Sequence, residues 1–101
     1  MRLVWSPSAL DRLEAIASDF AREHPDVATE WIGEVIRVVE RLERFPASGR
    51  IVPEIRRETI REVIHGPYRL LYHIGAGQVD ILTVRHSRQL TGPGDVPREP
   101  R

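Results

Sequence analysis

Four consecutive residues, Arg85, His86, Ser87 and Arg88, form the most chemically loaded stretch of the chain. An imidazole can give or take a proton near neutral pH, and a guanidinium is a fixed fork of donors for phosphate or carboxylate. Joined by Arg61 and Arg69, such groups could cleave RNA without a metal. That reaction needs a base for the 2′-hydroxyl, an acid for the leaving 5′-oxygen and a cation on the phosphate. His86 could be the acid or base. Arg61, Arg69 and Arg88 could hold the phosphate, and Glu58 or Glu62 could be the second proton carrier. No single strand or helix fixes these groups together. Each also has a structural reading. Arg61 and Arg69 can pair with Glu58, Glu62 or Asp80 across strands. His86 can end a sheet on a loop carbonyl, and Tyr68 and Tyr72 read as core rather than stacking platforms.

Other chemistries find no residues to carry them. His24, His65, His73 and His86 include no pair four apart on a helix, and there is no cysteine. No metal site, disulfide or cysteine nucleophile is expected. Gly75-Ala76-Gly77 opens a strand rather than a helix, which lacks the amide array of a phosphate loop. No Gly-x-Ser-x-Gly elbow occurs, and no cofactor is expected.

These residues must be positioned by three successive strands. Ile60 to Ile64 is the first, broken by Gly66-Pro67. Tyr68 to Ile74 and Gln78 to Arg85 follow, joined by the Gly75–Gly77 turn, a hairpin signal. Alternation puts Tyr68, Leu70, Tyr72 and Ile74 on one face, with Arg69, Leu71 and His73 on the other. It puts Val79, Ile81, Thr83 and Arg85 opposite Asp80, Leu82, Val84 and His86. Both faces carry apolar residues, which predicts helices over one side and partial cover over the other.

Those helices lie upstream. Arg2 to Trp5 reads as a short strand. Ser6 then caps a helix with Pro7 in its first position, or Ser8 caps it with Asp11 three residues on. Leu10, Leu13, Ile16, Ala17 and Phe20 share one face. His24-Pro25-Asp26 ends this helix, and Asp26 can cap the next. Ala28, Trp31, Ile32, Val35, Ile36, Val39 and Leu42 stripe a helix of about five turns that stops at Phe45-Pro46. The short connection makes the two helices an antiparallel hairpin. Residues 47–58 read as a charged loop, in which Arg50, Arg56 and Arg57 could frame a binding surface. Residues 91–101, rich in proline and glycine, are expected to be a disordered tail after a single domain spanning 1–90. The fold class is α+β, in the order β-α-α-β-β-β, with the helical hairpin on one face of a twisted, mostly antiparallel sheet.

The chain has 101 residues, enough for a single core. All 15 basic residues are arginine. Residues 1–45 hold 6 Arg and 9 Asp or Glu, and residues 46–101 hold 9 and 6. An acidic helical half beside a basic sheet half suits an anionic partner. No apolar run approaches a membrane span of about 18 residues, and the charged N-terminus is unlike a signal peptide. A cytoplasmic protein is expected.

The run Arg61-x-Val63-x-x-Gly66-x-Tyr68-Arg69-Leu70-Leu71-Tyr72, followed by Val79-Asp80-Ile81-Leu82-x-Val84-x-His86, resembles the ParE/RelE superfamily of bacterial toxins. Trp5-Ser6, Ala9, Ala28, Pro46 and Gly49 fit the same pattern. The resemblance covers nearly all of residues 2–90 and implies the toxin of a type II toxin–antitoxin pair. RelE-like members cut mRNA on the ribosome with basic residues on the sheet and a C-terminal Tyr or His-Tyr pair. ParE-like members have lost that set and poison DNA gyrase. Here Ser87 stands where a tyrosine would follow His86, the sheet has no lysine, and the helical hairpin is long. The resemblance therefore favours the ParE-like branch, with His86, Ser87 and Arg88 as contacts to gyrase and no catalytic residues. The alternatives are an mRNA endonuclease using Arg61, Arg69, His86 and Arg88, or an inactive partner-binding homologue. A cognate antitoxin is the expected partner, in a hetero-oligomer. A sheet face with Leu71 or Tyr72 exposed beside Arg57, Arg61 and Arg69 would take its amphipathic acidic segment.

Overall fold

The computed structural model describes residues 1–89 together with Thr91, Gly92, Gly94, Val96 and Pro97. Leu90, Pro93, Asp95 and residues 98–101 of the expected tail lie outside the described residues.

β1 (Arg2–Trp5) leads directly into α1 (Pro7–Ala21). Ser6 is the cap: its Oγ accepts from the Ala9 amide at 3.0 Å and donates to the Leu82 carbonyl at 2.9 Å. One side chain thus starts the helix and ties that start to the last strand. Pro7, with no N–H to leave unpaired, occupies the first position. α2 (Pro25–Glu40) begins one residue before the expected Asp26 cap. Pro25 fixes the first helical φ, His24 becomes the cap residue, and Asp26 sits in the first turn where the helix dipole favours an anion. The regular helix ends at Glu40 and tightens into a 3-10 turn over Arg41–Glu43, short of the expected five turns.

β2 (Arg50–Ile51), β3 (Ile60–His65), β4 (Tyr68–Ile74) and β5 (Gln78–His86) complete a five-stranded sheet in the order β1-β5-β4-β3-β2. Only β1 and β5 pair in parallel. The architecture is the expected α+β one, a helical hairpin on a mostly antiparallel sheet. β2 is an addition, too short to show a period in the sequence. One alternation is corrected. Leu71 faces Thr83 but Tyr72 faces Ile81, so Leu82 is the extra residue of a bulge. Val84 therefore joins Val79 and Ile81 beneath the helices. Thr83 and Arg85 turn to the far face, beside Leu71 and Arg69.

The helix-side core packs Ala9, Ile16, Trp31, Val35, Val39 and Leu42 on Leu70, Tyr72, Val79, Ile81 and Val84. A smaller core on the far face packs Val52, Ile60 and Leu71 with Ile55, Leu82 and Val96. The five described residues of the 91–97 segment include buried Thr91 and this packed Val96.

Tyr72 and Gly49 lock the α2–β3 connection. The phenol donates to the Pro46 carbonyl at 2.6 Å and accepts from the Gly49 amide at 2.9 Å. Burial raises the Tyr72 pKa, which keeps the donor proton in place. A side chain at position 49 has no room: its Cβ would sit 2.5 Å from the Glu62 carbonyl oxygen and 2.6 Å from the Tyr72 hydroxyl. Arg61 closes the same loop, donating to the Glu58, Ala47 and Gly49 carbonyls at 2.9, 3.3 and 3.0 Å. Gly49→Ala is expected to destabilise the fold by about 1–3 kcal/mol through overpacking. Tyr72→Phe is expected to cost about the same, through two stranded backbone groups. Urea unfolding of each variant checks both.

Candidate functional site

The last strand ends in a tight turn that carries the expected contacts. The Ser87 amide donates to the Pro67 carbonyl at 2.7 Å, and the Gln89 amide to the His86 carbonyl at 2.9 Å. Gln89 Oε1 accepts from the His86 amide at 3.0 Å. His86 Nδ1 accepts from the Arg88 amide at 3.2 Å, leaving Nε2 as the ring atom that can meet a partner. The His86 ring stands edge-on to Tyr68, centroids 5.9 Å apart. Tyr68 in turn meets Trp31 at 5.3 Å, and Trp31 meets Phe20 at 5.5 Å. Such contacts add about 0.5–1.5 kcal/mol each beyond burial. A helix-to-sheet aromatic chain thus orients the half-buried imidazole, while Ser87 and Arg88 are exposed.

The other sequence candidates lie elsewhere. Arg69 projects from the far face and is only 4% exposed. Its Nε donates to Glu62 Oε1 at 2.5 Å, and its Nη1 and Nη2 donate to Glu54 at 2.8 and 2.9 Å. Nη1 also reaches the Gln89 carbonyl at 3.0 Å. Glu62, itself 1% exposed, takes Arg50 Nε on its second oxygen at 2.6 Å. Glu54 Oε2 also accepts the Thr91 amide at 2.9 Å. Arg69 is therefore not a surface cation for phosphate or antitoxin. Four strong bonds offset the desolvation that an isolated buried guanidinium could not survive.

Leu71 and Tyr72 are likewise corrected as exposed anchors: both are fully buried, one in each core. Arg57 donates to the Pro97 carbonyl. Arg61 is half-buried on the loop carbonyls. It faces Tyr72, whereas His86 faces Tyr68, four residues or about 13 Å away along β4. Arg61, Arg69 and His86 are thus not assembled on one surface. The expected cross-strand pairing of Arg69 with Glu62 is present. Asp80 instead lies 3.6 Å from His73. Glu54, the second carboxylate, was missed because it comes from the charged loop, eight residues before its network partner Glu62 in the chain. Among the described residues, no group of three or more His, Cys, Asp or Glu could hold a metal ion.

Hydrogen bonds from Arg69 hold the Glu54 carboxyl down to about 2, from an ordinary 4.5. Arg69 is pushed further up by the same pairing. Because the folded pKa of Glu54 is depressed, its contribution is present above pH 4.5 and lost as pH falls toward 2. The melting temperature should therefore fall more steeply over that window in the wild type than in Glu54→Gln. Thermal unfolding followed by circular dichroism across the window checks this, and parallel slopes would contradict it.

Similarity to known proteins follows the same outline. The family model for the ParE toxin of the type II toxin–antitoxin system parDE matches residues 3–91. Y4kP, a candidate toxin of Sinorhizobium fredii (strain NBRC 101917 / NGR234), is 34% identical over 90 residues, covering 87% of this chain and 90% of Y4kP. A chain from a solved chromosomal ParDE system of P. aeruginosa shares the fold. It has a TM-score of 0.73 at 19% identity, and the match covers 85% of this chain and 95% of the other. The chain belongs to the ParE toxin family of type II toxin–antitoxin systems.

Proposed function

We propose that this toxin arrests growth by binding DNA gyrase through the His86–Arg88 turn, and that a cognate antitoxin neutralises it. What supports binding over RNA cleavage is above all the state of Arg69. A ribonuclease needs a cation free to meet developing charge on phosphate. Arg69 is closed between Glu54 and Glu62, and Arg61 is bonded to three loop carbonyls, which leaves Arg88 as the exposed cation of the candidate cleavage set. The exposed polar residues of the turn after β5 are Ser87, Arg88 and Gln89, beside an imidazole with one nitrogen already occupied. These can hydrogen-bond and pair with a partner's surface. A cytoplasmic location follows from the proposed target. No helix among the described residues is long and apolar enough to cross a membrane.

The test is a supercoiling assay with purified protein, gyrase, ATP and relaxed plasmid. The wild type should inhibit supercoiling and accumulate cleaved plasmid. The His86→Ala/Arg88→Ala double variant should be about tenfold or more weaker, the effect of losing about 1.4 kcal/mol or more at an interface centre. No inhibition at a large excess of toxin over gyrase would overturn the reading. New mRNA 5′ ends on programmed ribosomes would replace it with cleavage.

A further inference from the structure

The sheet has an open edge beside an apolar hollow. β2 covers β3 only opposite Arg61 and Glu62. The Val52 amide bonds the Ile60 carbonyl, so Ile60 aims its main-chain groups away from β4. Alternation sends those of Glu62 and Ile64 the same way. β2 starts at Arg50, and the preceding chain turns off through the 3-10 turn at Pro46–Ser48. Among the described residues, the Ile64 N–H and C=O have no partner on that side.

Next to this edge is a hollow of about 640 Å³ lined by Val38, Arg41, Phe45, Val63 and Ile64 among others. Phe45 is 63% exposed and Ile64 50%. Both are large apolar side chains, in a protein whose other aromatics are packed inside. The charges around the hollow are unequal. Arg41 lines it, and Arg37 lies in the adjoining hollow. Arg50 keeps most of its side chain in solvent while bonding Glu62. Of the nearby carboxylates, Glu62 is buried beneath two guanidiniums and Glu34 lies against His65 at 2.9 Å.

We propose that an extended acidic segment of the antitoxin adds as a strand along β3 at Ile64, with an apolar side chain seated between Phe45 and Val38. Unpaired main-chain groups call for an extended segment rather than a helix. The arginine rim calls for carboxylates flanking the apolar anchor. The proposal rests on the reading that an antitoxin is the partner, and it places that contact at the β3 edge.

The test titrates the purified product of the adjacent antitoxin gene into the full chain by calorimetry. Two variants are compared. Ile64→Pro removes the outward N–H, at a position where an edge strand tolerates proline. Phe45→Glu places a like charge in the path of the acidic segment, and Phe45 is too exposed for the fold to depend on it. Both variants should bind at least tenfold more weakly with unchanged thermal unfolding, and exchange of the Ile64 amide should slow in the wild-type complex. If Ile64→Pro does not fold, Phe45→Glu and the amide exchange decide. Wild-type affinity in both variants, with no slowing at Ile64, would overturn the proposal and leave the antitoxin reading standing. No binding by the wild type would overturn both. A toxin dimer without antitoxin, abolished by Phe45→Glu, would overturn the proposal in favour of self-association.

Discussion

A guanidinium inside a small sheet is the constraint to which the rest of this molecule answers. Arg69 lies on the central run of β4, where an alternating strand would place an apolar residue. Removing such a charge from water costs several kcal/mol, even after relaxation. The chain meets that cost by bringing Glu62 from the neighbouring strand and Glu54 from the loop before it, and Glu62 engages Arg50 on its far side. Because Glu54 also takes the Thr91 amide, the network reaches past the last strand. One buried cation thereby ties the 52–59 loop, the far face, Gln89 and Thr91 into one arrangement. This specifies structure more than it stabilises it, since apolar replacements of buried ion networks are often neutral or better.

The opposite face uses uncharged devices. Tyr72 holds Gly49 and Pro46, which sets where the chain leaves α2 and enters β2. Ser6 holds the start of α1 against β5. The Phe20–Trp31–Tyr68–His86 chain carries the helix packing out to the end of the sheet. The two faces converge on one exposed turn, because Tyr68 orients the His86 ring while the Gln89 carbonyl accepts from Arg69. A turn braced from both sides would need little ordering if it met a partner.

Much of this was legible in the sequence, and the misses have physical causes. The helix stripes and three long strands show clear periods, and they gave the fold class. Alternation failed at Leu82, because a one-residue bulge leaves no mark in hydrophobicity yet reverses the facing of Thr83, Val84 and Arg85. Arginine at 69 read as a surface cation because arginine is rarely buried. Its burial follows from a carboxylate far off in a loop that shows no period. Leu71 read as exposed because nothing local announces that residues 52–60 and Val96 fold over the far face, whereas Tyr72 lies on the opposite face beneath the helices. The sequence placed the end of the last strand at Arg85, one residue short of His86, since the apolar pattern stops there.

The central claim is that Arg69 and Glu62 build the sheet and take no part in the toxin's action. Its most direct test is growth arrest by an Arg69→Met/Glu62→Met variant, which removes the buried pair without stranding either charge. Glu54 and Arg50 retain access to water in that variant. The account predicts a folded protein that arrests growth as the wild type does. A variant with wild-type unfolding behaviour and no growth arrest would contradict it, and would make the buried pair part of the toxin's working surface.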